Sequence, residues 1–366
     1  MKAQILVENI DPFLSSLAKA LPNHSPVPIL LNILIEATQK GMYFSATDLE
    51  MGIKVKVAGK IDQEGAVTVP GRQLIEVLNS LPKGKVTFTY EKESLTIDSA
   101  GGKIVLQTIP KEEFPNLFEE KGEKVYSFTK TELKDIFSKI IFSASLDDSR
   151  AELTGIYIAQ KEDSVDFVAT DGYRLSLKKI PGKKILEKET GLIVSAKCIQ
   201  EALTLSSETM DLYVYAQGNQ VLFEAEDIVL VGRLIQGNFP NYEGVIPEAG
   251  STQAVIDVEE FAKAIKLSAV FARESANIVR VKIADKQLRL YSRSSGVGEG
   301  DVQVAVDQTG EENEIAFNVK FLSDLLRVVD EKRITLAING PLEAALFTLE
   351  KDTNFLHVIM PVRVQE

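Results

Sequence analysis

The chain has 366 residues, 45% of them apolar and 26% charged, with a net charge of −12 at pH 7. This length exceeds one compact core, so two or three domains are expected, and the ordinary globular composition excludes disorder as the main state. The single cysteine, Cys198, excludes a disulfide framework and a thiolate metal site, and the only histidines, His24 and His357, exclude a His-rich one.

The opening Met1-Lys2-Ala3-Gln4-Ile5-Leu6-Val7-Glu8 has too short an apolar run for a signal peptide. The longest uncharged stretch, Ala20 to Ile35, is interrupted by Pro22, Pro26 and Pro28 and cannot span a bilayer. No membrane association and a reducing, cytoplasmic location are expected. Taken alone, the acidity argues against a nucleic-acid surface.

The elements recur along the chain. The first third offers a strand at Gln4 to Val7, then a helix with Leu14, Leu17, Ala18 and Leu21 on one face. A strand from Met42 to Ser45 runs into Ala46-Thr47-Asp48. A strand from Val67 leads through Pro70 to a helix carrying Leu74, Val77, Leu78 and Leu81, and then strands at Val86 to Tyr90 and Leu95 to Ile97 flank a polar turn at Glu91 to Glu93. The second third repeats this: Val125 to Thr129, a helix with Leu133, Ile136, Phe137 and Ile140, a strand Val165 to Val168 before Ala169-Thr170-Asp171, and Leu192 to Val194. A helix with Ile199, Ala202 and Leu203 follows, then Leu212 to Tyr215 and Val221 to Phe223 around the turn Gln217-Gly218-Asn219. The last third has Ala254 to Asp257, a helix with Phe261, Ala264 and Ile265, the strand Ile315 to Phe317, and a helix with Leu322, Leu325, Leu326 and Val329. It closes with Ile334 to Ile338 and Ala345 to Phe347 around Asn339-Gly340-Pro341. Corresponding copies lie 125 and 123 residues apart, so three equal units fill the chain. The spacing predicts helices over 12–21, 71–83, 131–141, 195–208, 257–268 and 318–333. Pro70, Ser195 and Asn318 stand at cap positions, and Thr129 with Glu132 and Asp257 with Glu260 have capping-box spacing. The repeating unit is therefore strand, helix and three strands, used about six times.

These helix windows carry a net charge of +1 and the remainder −13. Lys134, Lys139, Lys197, Lys263, Lys266, Lys320 and Arg327 are expected on solvated helix faces, while acids such as Glu132, Asp257, Glu259 and Glu260 gather at helix starts, where the dipole favours them.

Few residues suggest chemistry. Asp48 and Asp171, at an offset of 123, pose the choice between a two-carboxylate hydrolase and a pair of strand-ending turns. The turn is favoured, because the third unit has Arg293 near Tyr291-Ser292 and no matching Asp. Gly296-Val-Gly-Glu-Gly300 lacks the Lys-Ser/Thr of a phosphate loop and reads as a strand connection. Cys198 lies beside an apolar helix stripe. No catalytic residue, metal or cofactor is expected.

Ala169-Thr-Asp-Gly-Tyr-Arg-Leu175, Gly237-Asn-Phe-Pro-Asn-Tyr242 and Ile359-Met-Pro-Val-Arg363, with Pro26-Val-Pro-Ile-Leu30 and Phe114-Pro-Asn116, resemble the bacterial DNA polymerase III beta subunits, the replicative sliding clamps. The resemblance covers the whole chain. It implies an α+β DNA clamp fold of three similar domains, 1–122, 123–248 and 249–366, each of two halves, with helices lining the inside and sheets outside. A head-to-tail homodimer would form a ring around double-stranded DNA, without sequence preference or catalysis. It would tether the DNA polymerase III catalytic subunit, a clamp loader and other clamp-binding-motif proteins, in a bacterial cytoplasm and near the nucleoid. By the same resemblance, His24, Arg72, Arg150 and Lys197 face DNA. A partner-peptide pocket would use Leu153, Thr170, Gly172, Tyr173, Arg174, Leu175, Pro240, Val245, Met360, Pro361, Val362 and Arg363, and would take a peptide bearing Gln and large apolar residues. Ile104 and Leu106 would meet Val270 and Phe271 across the dimer interface. His24, Tyr173 and Gly244 stand where many members carry other residues, and Val364-Gln365-Glu366 runs past the usual end. A scaffold of the same fold that binds no nucleic acid is the third reading.

Overall fold

The computed structural model describes residues 1–364 apart from 118–121, 188–189, 206, 216–217 and 249. Gln217 of the second expected turn, Ala249 at the expected third boundary, and Gln365 and Glu366 lie outside the described residues.

The strand-helix-three-strand unit occurs six times among the described residues. The helices are α1 (Val7–Ile10), α2 (Leu14–Lys19), α3 (Gly71–Ser80), α4 (Lys130–Phe137), α5 (Ala196–Thr204), α6 (Val258–Ala272) and α7 (Val319–Val328). The first expected helix starts earlier and is split, because Pro12 sits in a 3-10 turn, Asp11–Phe13, and offers no amide to an α ladder. Helix α4 stops at Phe137 rather than 141, where the Ser138 hydroxyl turns back to the Lys134 carbonyl. Helix α6 runs one turn past 268, since Ala269 and Ala272 continue its buried stripe. Helices α5 and α7 end at Thr204 and Val328, short of their expected windows. Asn318 caps α7 through the amide of Lys320 at 3.0 Å, and Asp257 caps α6 through those of Glu259 and Glu260, both at 3.0 Å. Pro70 precedes α3 without a side-chain cap.

The chain packs as two compact units, one of residues 1–130 and 200–234, the other of 131–199 and 235–366. In the first, a five-stranded sheet runs in the order 59–63, 2–6, 85–91, 94–99, 102–107, and an eight-stranded one in the order 123–129, 209–215, 220–225, 228–233, 51–57, 41–47, 32–38, 65–70. The second unit holds twelve strands in the order 191–195, 155–160, 164–170, 174–181, 355–359, 345–349, 333–338, 252–257, 298–310, 287–294, 278–284, 313–318. Every pairing is antiparallel, and paired repeats exchange their leading strands. Strand 2–6 pairs with 85–91, while 65–70 pairs with 32–38; 252–257 pairs with 333–338, while 313–318 pairs with 278–284. Lys92 and Glu93, both at positive φ, make the tight turn expected after Tyr90.

In the second unit α6 and α7 lay Phe261, Ala264, Ile265, Leu322 and Leu325 onto sheet residues such as Ile256, Leu336 and Phe347. Each such Phe, Leu or Ile side chain withdrawn from water stabilises the fold by about 1.5–3 kcal/mol. In the first, Phe44 and Phe88 meet edge to face at 6.1 Å beneath the helices.

The expected solvated lysines are not all solvated. Lys139 is 8% exposed. It is paired with Asp135 and Asp352 at 2.8 Å each, and Lys178 joins the same two carboxylates at 2.9 and 2.7 Å. Burial works against charge in this cluster. Hydrogen bonds outweigh it, so the Asp135 carboxyl lies below its usual range and the Lys139 ammonium above its own. Lys263 pairs with Glu259 one turn back at 2.6 Å.

Candidate functional site

The second unit carries a cleft of about 200 Å³ built from three loops and one strand end. Its floor is apolar: Leu175, Tyr242 and Val358 form a buried cluster with Val168 and Leu177. Leu153, Pro240, Val245 and Met360 complete the apolar lining.

One wall is the turn Thr170 to Arg174. The Thr170 hydroxyl donates to the Arg174 carbonyl at 2.6 Å and accepts from the Gly172 amide at 3.0 Å. One oxygen of Asp171 accepts from the amides of Tyr173 and Arg174 at 2.9 and 3.0 Å. The chain reverses at Gly172 with φ of +90°, a conformation glycine adopts without a Cβ clash. Thr47 and Asp48 repeat this turn in the first unit: Asp48 accepts from the amides of Glu50 and Met51 at 3.1 and 2.7 Å. Each of the two aspartates therefore spends an oxygen on its own turn, the structural role that the sequence favoured over a hydrolase.

Loop 237–246 forms the opposite wall. Tyr157 stacks on Phe239 with centroids 4.8 Å apart. The Tyr242 hydroxyl donates to Asp166 at 2.9 Å, and burial followed by that carboxylate pushes the phenol well above its usual range. Lys161 pairs with Glu243 at 2.7 Å. The terminal segment shuts the third side, where the Met360 amide donates to the Tyr173 carbonyl and the Val362 amide to the Ala316 carbonyl, both at 2.8 Å.

Arg174 is the polar corner. Only 8% of its side chain is exposed, and its Nε donates to the second oxygen of Asp171 at 3.0 Å. Nη1 donates to Asp324 at 2.8 Å and Nη2 to the Phe142 carbonyl at 2.6 Å. The guanidinium sits 4.6 Å from the Phe321 ring centroid and 5.4 Å from that of Phe142. Behind it, His357 is wholly buried, its Nδ1 2.7 Å from the Ser176 hydroxyl, which is itself 2.7 Å from that of Ser143. Burial first, and the Arg174 charge second, lower the His357 pKa to about 3. This neutral imidazole is a core group and no general base.

The structure brings together Leu153, Thr170, Gly172, Arg174, Leu175, Pro240, Val245 and Met360 as lining residues. Tyr173, Pro361, Val362 and Arg363 do not line the cleft. Tyr173 is 68% exposed on the turn's crest, Pro361 and Val362 are half-buried, and Arg363 is exposed. Arg150, Asn241, Tyr242 and Val358 line it unanticipated. Val358 lies two residues from Met360, so strand alternation held that signal.

Among the other expected positions, His24 and Arg72 are exposed in the first unit, where Arg72 donates to the Asn23 side chain beside His24. Lys197 is exposed in the first turn of α5. Asp147 accepts from the Ser149 amide at 2.9 Å, so that carboxylate caps the loop leading to Arg150. Ile104 and Leu106 are half-buried on strand 102–107, an edge of its sheet, with Val105 between them 54% exposed. Val270 is 56% exposed on α6, and Phe271 is half-buried against Gly298 and Gly300. Among the described residues no group of His, Cys, Asp and Glu is placed to hold a metal ion, and no helix is long and apolar enough to cross a membrane.

Residues 1–118, 127–241 and 243–363 match, in order, the N-terminal, central and C-terminal domains of the DNA polymerase III beta subunit. The chain is 30% identical to the beta sliding clamp of Caulobacter vibrioides, with 96% of each protein covered, and 29% identical to that of Chlamydia muridarum over the whole of both. The crystal structure of the DNA polymerase III beta subunit from Thermotoga maritima shares its fold with a TM-score of 0.90 at 27% identity, covering all of both chains. The chain belongs to the DNA polymerase III beta subunit family, the beta sliding clamps.

Proposed function

We propose that this chain is a replicative sliding clamp, a non-catalytic subunit that closes around duplex DNA as a head-to-tail homodimer. It holds the DNA polymerase III catalytic subunit, the clamp loader and other clamp-binding-motif proteins to the template. The cleft of the second unit carries this reading: an apolar slot with a fixed guanidinium, whose lining holds no histidine, cysteine, aspartate or glutamate. Such a slot suits leucine and phenylalanine anchors, with a polar group such as Gln setting register. Tyr173, Pro361, Val362 and Arg363 would form its outer rim.

On the same reading the repeats act as three domains, 1–122, 123–248 and 249–366. His24, Arg72, Arg150 and Lys197 meet phosphates weakly and without regard to sequence, because a contact that must break at every step cannot be tight. Arg150 also borders the cleft, so it stands where duplex and partner would meet. The exposed edge at Ile104 and Leu106 is a liability until covered, and pairing with the surface of Val270 and Phe271 on a second copy covers it. The working place is the bacterial cytoplasm, at the nucleoid during replication.

The test is to load the protein onto nicked circular DNA with a clamp loader and then linearise the circle. A clamp leaves over the cut ends; protein that stays bound to the linear duplex overturns retention by enclosure.

A further inference from the structure

Arg150 and Arg174 are the charged residues lining the cleft, and they are held differently. The Arg150 side chain is 56% exposed, with one carboxylate, Glu152, at 3.4 Å. Arg174 has a separate acceptor for each of its three nitrogens and an aromatic ring beside the guanidinium on two elements. Asp171 belongs to the arginine's own turn. Asp324 comes from α7, is itself 12% exposed, and spends its other oxygen on Arg327 at 3.3 Å. Phe321, one turn earlier on α7, lies 4.6 Å from the guanidinium. Neither Asp324 nor Phe321 lines the cleft.

We infer that Asp324, with Phe321 beside it, is a positioning residue for partner binding: α7 fixes the orientation in which Arg174 meets a peptide in the cleft. The inference rests on the cleft's being the partner site. A guanidinium carries five N–H donors in a rigid fork. Three are committed to Asp171, Asp324 and Phe142, which leaves two for a backbone carbonyl or a Gln side-chain oxygen of the ligand. An arginine already locked in place does not have to be ordered when the peptide arrives, and affinity rises by the cost avoided.

The experiment is a double-mutant cycle on the full chain, read by fluorescence polarisation of a short labelled peptide carrying one Gln with Leu and Phe anchors. Asp324→Ala is expected to weaken binding about tenfold, with Asp324→Glu recovering part of it. In an Arg174→Met background, where the side chain still fills the space between the rings, Asp324→Ala should cost nothing further. Thermal melts confirm that each variant is folded, and if Asp324→Ala is not, the cycle is run with Phe321→Leu. Wild-type affinity in the Asp324→Ala variant, or a full additional loss in the Arg174→Met background, overturns the positioning role. A wild-type chain that binds no such peptide instead overturns the reading of the cleft itself.

Discussion

The turns at Thr47 to Met51 and Thr170 to Arg174 are built from the same bonds, yet they end differently. Each has a threonine hydroxyl reaching four residues on, at 2.9 Å to the Met51 carbonyl and 2.6 Å to that of Arg174, and an aspartate gathering two amides. In the first, residue 49 is a leucine at φ of 75° and residue 51 a methionine 2% exposed. In the second, glycine takes the left-handed position and a buried arginine follows. The same local backbone device thus stands in both units, and the polar corner comes with the residue that leaves the second turn. What makes the second turn chemically distinct is that arginine together with its surroundings, Asp324, Phe321 and Phe142.

If so, the arginine cannot simply be moved. Met51→Arg should bury a guanidinium without its acceptors and cost about 3–5 kcal/mol, read as a lowered midpoint in denaturant; a variant as stable as the parent would show that the first turn can also host the charge. The aspartates should differ next. Asp171→Ala removes two amide bonds and one partner of a buried cation, for about 2–3 kcal/mol, whereas loss of the two amide bonds in Asp48→Ala should cost about 1 kcal/mol. Equal costs would mean that Arg174 draws nothing from Asp171. A third effect is in pH. His357, close to Arg174, has a folded pKa of about 3 against an ordinary 6.5. It binds fewer protons folded than unfolded, so its contribution is complete above pH 6.5 and is lost progressively as pH falls toward 3. At pH 5 the loss is about 2 kcal/mol. Melting curves at pH 7.5 and 5 should therefore draw together in His357→Asn relative to the parent.

The sequence shows most plainly what is local. The six repeats, the caps at Asn318 and Asp257 and the two Thr-Asp turns all rest on bonds a few residues long. The cleft was legible in pieces, through three motifs that the fold brings to one place. What sequence could not show depends on distant partners. Asp324 is 150 residues from Arg174, and Asp352 is 213 from Lys139. Asp135, one turn back, is a local partner of Lys139, but the Asp352 that shares its ammonium lies in a loop near the other end of the chain. Arg150 was assigned to DNA and not to the cleft, although Leu153 of the same 3-10 segment, Asp148–Leu153, was assigned to it.

The composition of the first unit constrains its birth on the ribosome. Strand 228–233 is the neighbour of 51–57, and 209–215 that of 123–129. The intervening residues, 131–199, belong to the other unit. A nascent chain must therefore hold the valine- and isoleucine-bearing rim of 51–57 open while residues 58 to 228 are made, roughly ten to thirty seconds at ordinary elongation rates. During that interval the rim is a template for any stray strand.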